Sequence, residues 1–163
     1  MNLITMKWKF DYVIKKCIFR VCYGKNVKID ETVFFRSGFS IICSQNASVS
    51  IGKKTFFNLR CTITAQECVE IGESCIIGEN VKIYDHNHRF NENKKIVDQG
   101  FKTGKVKIND DVWIGSNVIV LKGVEIGSHS VIAAGCIVDH SIPSDSILFR
   151  DGKVEKIVYK SEE

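Results

Sequence analysis

Residues 81–90 read VKIYDHNHRF. They place Asp85, His86 and His88 within four positions, in a chain with only four histidines. Imidazole is the side chain whose ordinary pKa lies nearest neutrality, so a histidine here could take a proton from a hydroxyl and hand it on. A carboxylate or a backbone carbonyl on the other ring nitrogen would fix the tautomer, and Asp85 stands near enough in sequence to be that group. The same residues could also be half of a metal site, or a solvated loop. A zinc site would need a third ligand, and neither His129 nor His140 stands at a ligand spacing from the pair. The seven cysteines (17, 22, 43, 61, 68, 75 and 136) include no CxxC pair, so structural zinc spacing is absent as well. No metal is expected.

The elements that hold these residues are legible in a repeat. From residue 108 the chain tiles in sixes: INDDVW, IGSNVI, VLKGVE, IGSHSV, IAAGCI, VDHSIP. Every lead position is aliphatic (Ile108, Ile114, Val120, Ile126, Ile132, Val138). The fifth positions are Val112, Val118, Val124, Ser130, Cys136 and Ile142. The period also runs through IGKKTF, FNLRCT and ITAQEC from residue 51, then resumes two residues out of phase as IGESCI and IGENVK from residue 71. A weaker copy starts at residue 29 with IDETVF and FRSGFS. Six is neither a helical period nor two-residue alternation. It fits a chain that turns a corner every six residues, so that three sides close a triangular coil and stacked coils pair as parallel strands. The fold class is therefore all-β, a parallel β-helix of hexapeptide repeats.

Three segments break the period. Residues 6–21 read as a helix, with Met6, Phe10, Val13, Ile14, Cys17, Ile18 and Val21 on one face and Lys7, Lys9, Lys15, Lys16 and Arg20 adding positive charge. Such a helix would cap the open first coil, or lie on a membrane or partner. Residues 84–105 lose the hexad and form a long loop, with the histidine pair at its root. After Pro143 a tail is expected to pack on the last coil. The organisation is thus an N-terminal helical segment (1–24), a β-helix domain (25–143) carrying the 84–105 loop, and a C-terminal tail (144–163).

Composition adds limits. The chain has 163 residues, 44% hydrophobic and 26% charged, enough for one domain with a core. A net charge of +4 is mild and does not point to nucleic acid. No apolar run approaches a membrane span, and no secretory leader is evident. The cysteines read as reduced thiols, so a cytoplasmic location is expected, with peripheral membrane contact through residues 6–21 as a further option.

With the hexads, His88 before a protruding loop, INDDVWIGSNVIVLKGVEIG and IAAGCIVDHSIP all in view, the chain resembles the hexapeptide-repeat acyltransferases over about residues 25–158. The nearest subgroup comprises the galactoside, maltose and Nod-factor acetyltransferases with the capsule and O-antigen O-acetyltransferases. The resemblance implies a left-handed β-helix that assembles as a homotrimer. It implies acetyl transfer from acetyl-CoA to a sugar or glycan acceptor at clefts between subunits, in polysaccharide biosynthesis. It places the catalytic base on His88 and an acceptor-binding asparagine on Asn58, with Asp85 and His86 beside the substrate. Where related sialic-acid enzymes carry Asp-x-His, this chain has His86-Asn87-His88, with Asp85 one position further back. For the coenzyme, the resemblance points to Trp113, Ser116 and Ala134 along the pantetheine arm. Asp139 and His140 stand where many relatives have Thr-Lys. Lys153 and Lys156 are the candidates for the CoA phosphates. Cys61, Cys75 and Cys136 occupy small-residue hexad positions and read as core, not as nucleophiles. Two other functions fit the same fold: N-acetylation of an amino-sugar nucleotide or antibiotic, and a non-catalytic β-helix scaffold.

Overall fold

A computed structural model describes residues 13–19 and 21–159. The first coil consists of β1 (Val27–Ile29), β2 (Phe34–Phe35) and β3 (Ser40–Cys43). The second has β4 (Ser48–Ile51), β5 (Phe56–Phe57) and β6 (Thr62–Ala65), and the third β7 (Cys68–Ile71), β8 (Ile76–Ile77) and β9 (Lys82–Tyr84). Two strands, β10 (His86–His88) and β11 (Phe101–Thr103), then leave the wall as an antiparallel hairpin. The fourth coil has β12 (Val106–Ile108), β13 (Trp113–Ile114) and β14 (Ile119–Val120). The fifth has β15 (Glu125–Ile126), β16 (Val131–Ile132) and β17 (Ile137–Val138). Strands one coil apart pair in parallel, which builds three faces. The first is β1-β4-β7-β12-β15, the second starts β2-β5-β8-β13-β16, and the third is β3-β6-β9-β14-β17. This is the parallel β-helix that the hexads imply.

The six-residue code follows from how this prism packs. The lead and fifth residues of the hexads from 108 to 142 are all buried, Ser130 included. Each fully buried aliphatic side chain contributes roughly 1.5–3 kcal/mol relative to exposure. The fourth residue turns the corner in a left-handed conformation: Lys54, Arg60, Ser74, Asn80, Asp111, Asn117 and His129 have φ between 54° and 59°. The glycine at the second position is demanded by stacking. A Cβ on Gly115 would lie 2.6 Å from the backbone nitrogen of Ala134 in the next coil.

The upstream phase shift has a simple cause. Val27 pairs with Val49 and Val49 with Val69, steps of 22 and 20 residues, whereas Lys107 pairs with Glu125, a step of 18. The early coils are longer because β3, β4, β6 and β7 each run four residues before the chain turns.

Both ends of the prism are covered. Residues 13–19 and 21–23 are helical, while the part of the expected helix at 6–12 lies outside the described residues. The capping role holds, but not through the face read from the sequence. Phe19 is the buried side chain, packed on Phe35 and Phe39 at ring distances of 6.2 and 5.9 Å. Val13, Ile14, Cys17, Ile18 and Val21 are exposed instead. The open coil end takes one aromatic plug, and its edge carbonyls need donors. Lys15 Nζ donates to the Phe39 carbonyl (3.0 Å), Lys16 Nζ to those of Asp30 and Glu31 (3.1 and 2.8 Å), and the Tyr23 hydroxyl to that of Ile41 (2.9 Å). At the other end the tail continues the second face past residue 143. There β18 (Ser146–Leu148) pairs in parallel with β16, and β19 (Val154–Lys156) folds back on it antiparallel. Among the described residues no helix is long and apolar enough to cross a membrane.

Candidate active site

The histidine pair stands where the third face runs out into the hairpin. Strand alternation carries Val81, Ile83 and then Asp85 into the prism, and all three are buried. A buried carboxylate needs donors. Oδ1 of Asp85 accepts the N–H of Gln66, and Oδ2 accepts those of Glu67 and Cys68, each at 2.8 Å. These three amides belong to the turn directly below, between β6 and β7. The fourth donor is His86, whose Nδ1 lies 2.9 Å from Oδ1. Because the carboxylate only accepts, His86 carries its hydrogen on Nδ1.

This corrects the expectation for Asp85 in two respects. It partners His86, not His88, and it is wholly buried, so it has no surface with which to contact a substrate. His86 itself is mostly enclosed, with 12% of its side chain exposed. Its ring meets Tyr84 and Phe101 edge-on, at 6.5 and 4.9 Å.

His88 lies two residues further along β10, on the same side of the hairpin as His86. It is exposed, and its ring sits 4.6 Å from that of Phe101, its cross-strand neighbour. Among the described residues neither ring nitrogen of His88 has a hydrogen-bond partner. Phe101 is the residue here that the sequence did not suggest.

The other expected site residues fall at two separate corners. Asn58, Ser116 and Ala134 follow strands of the second face in the second, fourth and fifth coils, so they lie along the corner between the second and third faces. Asn58 Oδ1 accepts from the Leu59 N–H (2.9 Å) and from Arg36 (3.2 Å). Ser116 Oγ accepts from the Glu79 N–H at 3.2 Å, and Ala134 is exposed. His86, His88, Asp139 and His140 stand at the next corner, between the third and first faces. Asp139 and His140 pair with each other at 2.7 Å and are exposed. One chain therefore does not bring Asn58 or Ser116 to His88.

Trp113 stands on the second face with 55% exposure. Its outward neighbours form one apolar ladder: Phe34, Phe56, Ile76, Trp113, Val131 and Ile147 follow one another in register. Lys153 and Lys156 sit on the end hairpin. Lys153 is ion-paired with Glu155, while Lys156 is exposed on β19. A second basic residue missed by sequence reading is Arg150, whose stem would lie 3.5 Å from a Cβ on Gly135, next to Ala134. Cys61, Cys75 and Cys136 are buried, and burial pushes each thiol above its ordinary pKa, the opposite of an activated nucleophile. Among the described residues no three His, Cys, Asp or Glu side chains gather as a metal site requires.

Comparison with known proteins places this geometry. Residues 105–140 match the family described as bacterial transferase hexapeptide (six repeats), and residues 48–85 match the hexapeptide repeat of succinyl-transferase. The chain is 30% identical over 128 residues to the galactoside O-acetyltransferase of Escherichia coli K12, covering 76% of this chain and 57% of that protein. It is 27% identical to the solved maltose O-acetyltransferase of Clostridium difficile 630, with a TM-score of 0.71 over 91% of this chain and 77% of that one. A hexapeptide-repeat acetyltransferase of Vibrio cholerae, solved with acetyl coenzyme A, shares the fold at 22% identity and a TM-score of 0.74, covering 91% and 78% of the two chains. The chain spans about half the length of the curated relatives it matches. Repeat, fold and relatives agree: the chain is similar to the hexapeptide-repeat transferases.

Proposed function

We propose that this protein transfers acetyl from acetyl-CoA to a hydroxyl of a sugar or polysaccharide precursor, with His88 as general base. The observation that carries the proposal is the state of His88. Its imidazole is exposed, rests against Phe101, and has both ring nitrogens unengaged by the described residues. Such a ring can accept the acceptor's hydroxyl proton as the oxygen attacks the thioester carbonyl. The C–S bond then breaks and the CoA thiolate leaves with the proton. General-base assistance of this kind is worth typically about 10²–10⁴-fold.

The division of residues between two corners supports a site shared by two subunits of a homotrimer. The apolar ladder through Trp113 gives the second face a reason to be covered, since contiguous apolar surface of this kind marks contact sites. In that assembly Trp113, Ser116 and Ala134 of one subunit would line the coenzyme arm beside the hairpin of its neighbour. Asn58, whose Oδ1 is already engaged, would donate its NH2 group to an acceptor oxygen. Arg150 and Lys156 are better placed for the CoA phosphates than Lys153, which must first leave Glu155.

A screen of sugars and glycan intermediates with isotope-labelled acetyl-CoA, read by mass spectrometry, tests the proposal. Acetylated hydroxyls support it. Products acetylated only on amines would favour the amino-sugar alternative, and no transfer to any acceptor would favour a scaffold. The exposed row Val13, Ile14, Ile18 and Val21 favours a peripheral contact of the capped end with the cytoplasmic face of a membrane. Failure to float with anionic vesicles would exclude that contact.

A further inference from the structure

The hairpin that carries His88 is two strands wide and stands outside the prism. Two-stranded hairpins are marginal on their own in water, so its geometry must be set by what pins it. Its root is tied to three coils. The Asp85 side chain takes the turn amides of Gln66, Glu67 and Cys68. The Gly104 N–H donates to the Asp85 carbonyl at 2.8 Å, and the Gly123 N–H to that of Gly104 at 2.9 Å. Above the root, His86, His88, Phe101 and Thr103 share one side of the hairpin, because His86 faces Thr103 and His88 faces Phe101 in the register.

Accepting His88 as the base, we propose that His86 and Phe101 are positioning residues that together aim its imidazole. Asp85 fixes the His86 ring through Nδ1. That ring stands nearly perpendicular to Phe101, with 81° between planes. Phe101 thus touches both imidazoles, and its ring lies 4.6 Å from that of His88 at 50°. In many histidine bases a hydrogen bond to the second nitrogen fixes the ring. Here no such bond is made by the described residues, and aromatic packing takes its place. A base held by packing keeps both nitrogens available, one for the acceptor hydroxyl and one for solvent. His86 is thus neither base nor substrate contact. It transmits the rigidity of the buried carboxylate to the ring that supports His88.

Imidazole 1H–15N and 1H–13C spectra of the intact protein test this without any acceptor. Phe101→Met keeps bulk on the hairpin but removes the ring current. The His88 ring signals should move and broaden, and Phe101→Tyr should restore them. His86→Asn retains a donor for Asp85 in place of Nδ1 and should leave the His88 signals closer to wild type than His86→Ala does. Thiol release from acetyl-CoA with 4-nitrophenyl β-galactoside gives a second reading. Phe101→Met and His86→Ala should lower kcat about tenfold or more, within the range expected when a reacting group is misplaced by an ångström. The KM for acetyl-CoA should not change, and His86→Asn, which keeps a donor for Asp85 but not the ring against Phe101, should recover only part of kcat. Unchanged His88 signals in both Phe101→Met and His86→Ala overturn the proposal. So does a loss of kcat in His86→Asn as deep as in His86→Ala, which would make His86 the base. Full activity of His88→Ala would instead defeat the base assignment while leaving the spectra intact, so the two failures are distinguishable.

Discussion

Replacing Asp85 by Asn removes one charge and exchanges one acceptor for a donor, at a site with no solvent to absorb the change. In its best orientation the new amide keeps its oxygen toward the Glu67 and Cys68 N–H groups and turns its NH2 toward the Gln66 N–H and His86. The Gln66 N–H is then orphaned in the interior, at a cost of about 1–3 kcal/mol. The two retained bonds fall from charge-assisted to neutral strength, losing roughly 1 kcal/mol each. His86 must invert its tautomer to accept from the new NH2. The total is about 3–5 kcal/mol, a large share of the 5–15 kcal/mol that typically separates folded from unfolded chains. Urea unfolding of wild type and Asp85→Asn at matched protein concentration, followed by far-ultraviolet circular dichroism, measures it. The 15N shifts of His86 would report the tautomer change. A loss below about 1 kcal/mol with the His86 tautomer unchanged would refute the four-donor account of Asp85.

Gly115→Ala should cost about 1–3 kcal/mol by overpacking, because the atoms it meets are the backbone of the next coil, and thermal melting would show it. Trp113→Ala should weaken acetyl-CoA binding almost independently of salt. Removing Lys153 and Lys156 together should matter most at low ionic strength and fade as charges are screened over roughly 8–10 Å, so a calorimetric salt series separates the two variants. The hydrogen bond that His129 Nδ1 donates to Asp111 Oδ2 at 2.9 Å raises the pKa of His129 above its ordinary value of 6.5. The pairing therefore stabilises the fold fully below the unfolded value and is lost as pH rises through the raised folded one. The His129 midpoint in an NMR titration should fall in Asp111→Asn.

The fold was readable where the coil length is constant. From Ile108 to Ile142 each hexad maps onto one side of the prism, because lead and fifth residues have one inward direction and corners recur at one position. Upstream, the four-residue strands around Cys43, Ser48 and Ala65 lengthen the coils, and a six-residue ruler slips. The helix face was misjudged because helical periodicity finds an apolar stripe, whereas the coil end accepts a single ring, Phe19. Asp85 carried a legible signal in its alternation with Val81 and Ile83, which predicts an inward carboxylate. Its donors lie in the turn of the coil below, a pairing that only the coil stacking discloses. Phe101 left no local trace. It meets His88 across a loop whose register is set by a hairpin, and no period spans that distance. Arg150 carries no such signal, since it reaches Gly135 only where β18 stacks in parallel on β16.

The role proposed for His88 is that of the base. It is tested most directly by acetyl-CoA thiol release in His88→Ala beside His86→Asn and wild type, on protein shown by sedimentation to share one oligomeric state. A loss of at least about 10²-fold is expected for His88→Ala, with CoA affinity retained and a clearly smaller loss for His86→Asn. Comparable rates in wild type and His88→Ala, or a deeper loss at His86, would contradict it.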